Sequence, residues 1–299
     1  MDEWFAARAI LRRQRPGRPR RGAQPLHRAR SVALGSVRAC PTGHYADGCH
    51  PADPIGWSQD GTRLLLRVVF RHGLGSDLWV MVEDESAKRV TKHEDAGWGS
   101  FSPDGSKIAY GCCGDRPGPY GMSADGGTPR PLGHPCRRVE EGLPSGGAIC
   151  GEPLEEAAAW SPLGSPIAWV DFEEYNARYG HHAYVLSFVN PDGTGVRTEV
   201  APLPGGTGLV WSPDGSGLAF WQSDDSDRPG QIFVINADGS HLRRLTRHGD
   251  NRWPAWSPDG SRLAFVHDDR LFTMAVDGSH VRRVPGARLD GPIARAPAS

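Results

Sequence analysis

From Trp57 onward the apolar residues come in short runs, each closed by a Ser-Pro-Asp-Gly or Asp-Gly tetrad, and this pattern predicts β-strands joined by tight turns. Trp256-Ser257-Pro258-Asp259-Gly260-Ser261-Arg262-Leu263-Ala264-Phe265 is the clearest case. Pro presets φ at the second turn position, Ser can bond the backbone at the first, Asp suits the third and Gly takes a positive φ at the fourth. The Trp before the turn and Leu-Ala-Phe after it are strand formers, so strand, turn, strand follows.

The same hairpin recurs. Trp57-Ser58-Gln59-Asp60-Gly61 leads into Leu64 to Leu66, and Phe101-Ser102-Pro103-Asp104-Gly105 into Ile108 to Tyr110. Trp160-Ser161-Pro162-Leu163-Gly164 has lost its Asp, and Trp211-Ser212-Pro213-Asp214-Gly215 leads into Leu218 to Phe220. The leading aromatics lie 44, 59, 51 and 45 residues apart, a spacing suited to four strands plus insertions. A second hairpin fills the other half of each repeat: Ile232 to Thr246 turns at Asp238-Gly239, and Leu271 to Val284 nearly duplicates it. Weaker copies turn at Asp192-Gly193, Asp125-Gly126 and Asp84. Four antiparallel strands repeated radially predict an all-β β-propeller with five clear blades over residues 57–285. A degenerate sixth blade would have to be built from both ends, Ser31 to Ile55 and Gly286 to Ser299.

The pattern Trp-Ser-Pro-Asp-Gly-Ser-x-Leu-Ala-Phe with Ile-x-Val-x-x-x-Asp-Gly-Ser-x-x-Arg-Arg-Leu-Thr resembles the TolB-like (WD40-like) β-propeller repeat. The resemblance covers about three quarters of the chain. It implies a propeller of the kind found in the periplasmic Tol translocation component, in prolyl-oligopeptidase-type peptidases and in many other bacterial proteins. Members often have six blades; here five are readable, and the domain that precedes the propeller in the Tol component is not. A shared fold does not by itself select a function.

Charge divides the chain. The formal net charge is −1, yet residues 1–38 hold ten Arg against Asp2 and Glu3, so residues 39–299 carry about nine net negative charges. The first segment is rich in Arg, Pro and Gly without apolar periodicity, which predicts a disordered extension at 1–38 and a single propeller domain at 39–299. Arg8, Arg12 and Arg13 interrupt the one candidate signal stretch, Trp4 to Leu11, so no signal peptide is readable. As written the chain points to the cytoplasm. A spurious start would instead allow a periplasmic or secreted protein, and a transit peptide is a further alternative. No run of about 18 apolar residues is present to span a bilayer, and an acidic body argues against nucleic acid as a partner. Cys40, Cys49, Cys112, Cys113, Cys136 and Cys150 are too dispersed for a dense disulfide framework, and their pairing stays open.

If strands run outward from the axis, the Ser-Pro-Asp-Gly and Asp-Gly turns share one face and the variable loops gather on the other, where binding is expected. Those loops supply Glu94, Asp95, Glu173, Glu174, Asp224, Asp225, Asp227, His248, Asp268 and Asp269 as candidate binding residues. Converging carboxylates would favour a basic peptide or a cation, against the plainer reading of a solvated surface. Trp57, Phe101, Trp160, Trp211 and Trp256, with Asp104, Gly105, Asp214, Gly215, Asp259 and Gly260, read as structural repeat residues rather than a ligand-stacking set. Cys40-x3-His44-x4-Cys49-His50 has ligand residue types without a zinc spacing, and Asp225-x-Asp227 departs from a calcium loop at Pro229. Neither a metal nor another cofactor is expected. No nucleophile elbow, phosphate loop or His-Glu-x-x-His occurs. The expectation is a soluble, monomeric, non-enzymatic module that binds a protein or peptide. The alternatives are a hydrolase or lyase with an axial site, and the propeller fragment of a longer peptidase-like protein.

Overall fold

A computed structural model describes residues 53–69, 75–82, 87–92, 96–112, 118–132, 157–176, 181–203, 207–222 and 229–288, with the backbone alone at 171–176, 181–185, 197–203, 207 and 286–288. The first blade comprises β1 (Asp53–Trp57), β2 (Arg63–Val69), β3 (Ser76–Val82) and β4 (Lys88–Arg89). β5 (Ala96–Phe101), β6 (Lys107–Cys112), β7 (Gly118–Ser123) and β8 (Arg130–Pro131) form the second. The third contains β9 (Ala158–Trp160), β10 (Ile167–Asn176), β11 (His181–Val189) and β12 (Arg197–Leu203). β13 (Thr207–Trp211), β14 (Gly217–Gln222), β15 (Gln231–Asn236) and β16 (Arg243–Arg244) make the fourth, and β17 (Asn251–Trp256), β18 (Arg262–His267), β19 (Arg270–Ala275) and β20 (Arg282–Arg288) the fifth. Each sheet is four-stranded and follows chain order, and all neighbouring strands are antiparallel. The five sheets form a five-bladed propeller, as the repeats require, and no sixth sheet occurs among the described residues.

The turns form as their residues dictate. Gly61, Gly105, Gly215 and Gly260 hold φ of 70, 69, 71 and 70°, and their N–H groups donate to the carbonyls of Ser58, Ser102, Ser212 and Ser257. Each Ser hydroxyl then donates to the turn Asp, at 2.6 Å in the pairs Ser102–Asp104 and Ser212–Asp214. The same carboxylate accepts the N–H two residues on, Ser106 at 3.0 Å and Ser261 at 3.0 Å. These donors hold Asp104 and Asp259 at a pKa of about 2, with the Ser hydroxyl the leading cause in both.

Blade packing explains why the second strands read as unbroken apolar runs. Alternate side chains face opposite neighbours, so both faces of a blade are buried. In blade 4, Leu218 and Phe220 join a core with blade 3, while Ala219 joins one with blade 5. The central Ala makes room for the aromatic of the following blade: Ala109, Ala168 and Ala219 share clusters with Trp160, Trp211 and Trp256. Between blades 1 and 2 the sizes trade, with Leu65 against Phe101. Total volume is conserved by exchanging a larger aliphatic for a smaller aromatic. Blades 1 and 5 differ in their remaining faces: Leu64, Leu66, Val68, Trp79 and Met81 form one cluster, and Ala264, Val266 and Leu271 another.

Candidate functional site

Strand order places the Ser-Pro-Asp-Gly and Asp-Gly turns on one end of the propeller and the variable loops on the other. On the loop face, the described residues cluster between blades 4 and 5. Asp268 and Asp269 form the two-residue turn between β18 and β19, both in left-handed conformation with φ of 44 and 61°. Asp and Asn tolerate this region better than most residues. The turn is locked to the segment before β17: Asp250 N–H donates to Asp268 Oδ1 at 3.0 Å, and Asp268 N–H donates to the Asp250 carbonyl. Asp250 in turn accepts Gly230 N–H at 2.7 Å and Arg252 Nε at 2.9 Å.

Beneath this rim lies a polar layer. Buried Asn251 donates through Nδ2 to the His248 carbonyl at 2.8 Å and the Gly249 carbonyl at 3.0 Å, and its Oδ1 lies 3.0 Å from His267 Nδ1. Gln231 Nε2 donates to the same Gly249 carbonyl at 2.9 Å. Gly249 sits at φ 69°, and a Cβ there would stand 2.2 Å from the His267 ring, so glycine is required twice over. Arg252 covers the Trp221 ring at 5.3 Å, a contact mirrored between blades 1 and 2 by Arg67 over Trp98 at the same distance.

Of the acidic residues expected here, Asp268 and Asp269 are exposed on the loop face, and exposed His248 lies near them through its carbonyl bond to Asn251. Glu94, Asp95, Asp224, Asp225 and Asp227 lie outside the described residues. Glu173 and Glu174 were expected in a loop, but they belong to β10, where Glu173 pairs with Ala183 of β11. Phe172 pairs with Tyr184, and aromatic residues favour strands; the pairing continues to Asn176 opposite His181. Asp268 and Asp250 are engaged in holding the rim together, whereas Asp269 has no partner among the described residues. No group of three or more His, Cys, Asp or Glu among the described residues is placed to hold a metal ion.

The turn end carries a second feature that the repeat pattern did not reveal. A cavity of roughly 330 Å3 lies on the axis, bordered by the ends of all five inner strands, including Trp57, Phe101, Trp160, Trp211 and Trp256. The aromatics also join blades: Trp211 Nε1 donates to the Ala159 carbonyl at 2.9 Å and Trp256 Nε1 to the Val210 carbonyl at 3.1 Å. Ser58, Ser102 and Ser212 border the cavity too, but their hydroxyls are committed to the turn carboxylates. The cavity is therefore largely apolar. The signal for it was the regular spacing of the aromatics, which puts them at one height on the axis without fixing the width between them.

Residues 154–290 match the family described as TolB beta propeller domain. No curated protein matches the chain in sequence. Among solved structures, a putative TolB from Agrobacterium tumefaciens is 21% identical with a TM-score of 0.57, covering 82% of this chain and 86% of that one. TolB from Acinetobacter baumannii is 16% identical with a TM-score of 0.58, covering 83% of this chain and 58% of that one. An oligogalacturonate lyase in complex with manganese is 15% identical with a TM-score of 0.52, covering 79% and 65%. No helix among the described residues is long and apolar enough to cross a membrane. The repeat, the family match over residues 154–290 and the blade architecture agree on a β-propeller fold similar to that of TolB.

Proposed function

We propose that this propeller is a non-enzymatic interaction module that works as a monomer and presents its loop face to a basic protein or peptide. One observation carries the reading: the exposed Asp268–Asp269 tip is fixed in place by reciprocal bonds to Asp250, so its charge is presented by a rigid turn. A preorganised carboxylate pair loses little entropy on binding a cation. Glu94, Asp95, Asp224, Asp225 and Asp227, which lie outside the described residues, are included in this reading as further acidic residues of the sequence. Nucleic acid has no place in this reading, since the face is acidic.

A lyase or hydrolase acting at the axis is the second reading, and the axial cavity is the observation in its favour. Among the described residues its border contains no carboxylate or His, so an axial enzyme would have to draw its acid and base from elsewhere. The likeness to oligogalacturonate lyase concerns the fold.

The test is fluorescence anisotropy of a labelled Lys/Arg-rich peptide with the full chain, comparing wild type with Asp268→Asn/Asp269→Asn and with Asp224→Asn/Asp225→Asn/Asp227→Asn. Each variant should weaken binding by about threefold to tenfold at low salt. Equal affinity in all three proteins would remove the loop-face reading and leave the fold untouched.

A further inference from the structure

Blades 1 and 4 use one hydrogen-bonding scaffold at their outer strands and give it different charge. In blade 1, Thr91 Oγ1 accepts Leu78 N–H at 2.8 Å and donates to buried Asp77 Oδ1 at 2.7 Å. Arg89 Nε donates to the Thr91 carbonyl at 2.9 Å, and its guanidinium pairs with the Asp77 carboxylate. In blade 4, Thr246 Oγ1 accepts Ile232 N–H at 2.9 Å and donates to Gln231 Oε1 at 2.9 Å, and Arg244 Nε donates to the Thr246 carbonyl at 2.8 Å. Neutral Gln231 stands where Asp77 stands. Arg244 is exposed and has no carboxylate partner among the described residues.

The neighbouring cations repeat the contrast. Lys88 donates to the Asp125 carbonyl at 2.6 Å while Arg63 pairs with the Asp125 carboxylate at 3.1 Å, so the blade 2 turn receives the basic residues of blade 1. At the matching place Arg243 donates to the Val276 carbonyl at 3.4 Å, and the Asp277 carboxylate accepts Ser279 N–H of its own turn at 2.8 Å. Arg282 and Arg283 of β20 are likewise exposed without an ion-pair partner among the described residues. Interleaved with these cations are two exposed aliphatic residues, Leu242 (36%) and Val281 (54%). The blade 5 turn lies against blade 4, since Gly278 is within van der Waals reach of Leu245, so the two tips form one surface.

We propose that the outer rim of blades 4 and 5 binds an acidic, amphipathic segment of a partner polypeptide. Its carboxylates meet Arg243, Arg244, Arg282 and Arg283, and its apolar side chains cover Leu242 and Val281. Charge complementarity selects the acid: Arg244 lacks the carboxylate that neutralises Arg89 in blade 1, Arg243, Arg282 and Arg283 have no ion-pair partner among the described residues, and guanidinium groups pair carboxylates in bidentate fashion. The aliphatic pair selects polypeptide over nucleic acid, whose backbone offers nothing to cover it. This surface lies away from the loop face and carries the opposite charge, so it does not rest on the function proposed above.

The probe is a labelled synthetic peptide of alternating Glu and Leu, titrated with the full chain and followed by fluorescence anisotropy. Wild type should bind it with an affinity that falls as salt rises. Arg243→Gln/Arg282→Gln/Arg283→Gln should weaken binding by about tenfold or more, and Leu242→Ser/Val281→Ser by about threefold to tenfold. Circular dichroism should be unchanged in both, because all five side chains are exposed. Asp268→Asn/Asp269→Asn should leave this affinity unaltered, which separates it from the loop face. Undiminished binding by the triple variant would overturn the proposal. So would a Glu/Ser peptide or a single-stranded oligonucleotide binding wild type as tightly as the Glu/Leu peptide, which would mark a site for polyanions in general.

Discussion

The junction between blades 1 and 2 and the junction between blades 4 and 5 are built on one plan with opposite choices at three points. Leu65 meets Phe101 in the first, Ala219 meets Trp256 in the second. Arg67 of the earlier blade covers Trp98 of the later one, whereas Arg252 of the later blade covers Trp221 of the earlier. Asp77 neutralises Arg89, whereas Gln231 leaves Arg244 its charge. The first two exchanges conserve volume and contact, and they teach that a blade interface constrains sums of residues rather than individual ones. The third changes net charge without breaking a backbone bond, so it is open to functional use.

The largest expected effect tests that third point. Asp77→Ala strands Thr91 and the Arg89 guanidinium beside a buried site and should destabilise the fold by about 3 kcal/mol in denaturant unfolding. Gln231→Ala removes neutral bonds and should cost about 1–2 kcal/mol. Equal losses would mean that the ion pair is no more than a hydrogen-bonding device. Next comes packing: Ala219→Leu should overpack against Trp256 by about 1–3 kcal/mol, and adding Trp256→Phe should recover most of it by recreating the pairing of Leu65 with Phe101. A double-mutant cycle without recovery would break the volume argument.

The smallest effect is an equivalence. Asp104 in blade 2 and Asp259 in blade 5 have matching donor sets, and both sit at a pKa of about 2 against an ordinary 3.8. A depressed carboxylate contributes stability that is complete above its unfolded pKa and is lost as pH falls through the folded one. Both turns should therefore weaken together between about pH 4 and 2. Carboxyl carbon NMR checks this, and a midpoint near 3.8 for either residue would show that its turn is not formed as described.

Blade architecture was readable because its information is local: Ser, Pro, Asp and Gly within four positions specify a turn, and the aromatic before it specifies a strand. Position on a face was less readable. Glu173 and Glu174 looked like loop residues because charge suggests a surface, and a strand long enough to carry its pairing to Asn176 leaves no mark in composition. The swap of Asp77 for Gln231 escaped the sequence for another reason. Its partner Thr lies two residues past the next strand, 14 residues away in blade 1 and 15 in blade 4, and only the sheet brings them together. The axial cavity depends on how five blades close, which no single repeat encodes.

The Asp-Gly turns have one more consequence, for chemical ageing. Asp-Gly is the dipeptide most prone to isomerise through a succinimide, formed when the glycine nitrogen attacks the neutral carboxyl group. Here the nitrogens of Gly105, Gly215, Gly239, Gly260 and Gly278 are each occupied as donors to a turn carbonyl. The adjoining carboxylates are kept ionised by the Ser hydroxyls and N–H groups that surround them. Geometry and ionisation both oppose the attack, so these turns should accumulate isoaspartate slowly while folded and quickly once unfolded, a difference that peptide mapping after prolonged incubation measures. The repeated turn thus gives the propeller durability over time as well as its shape.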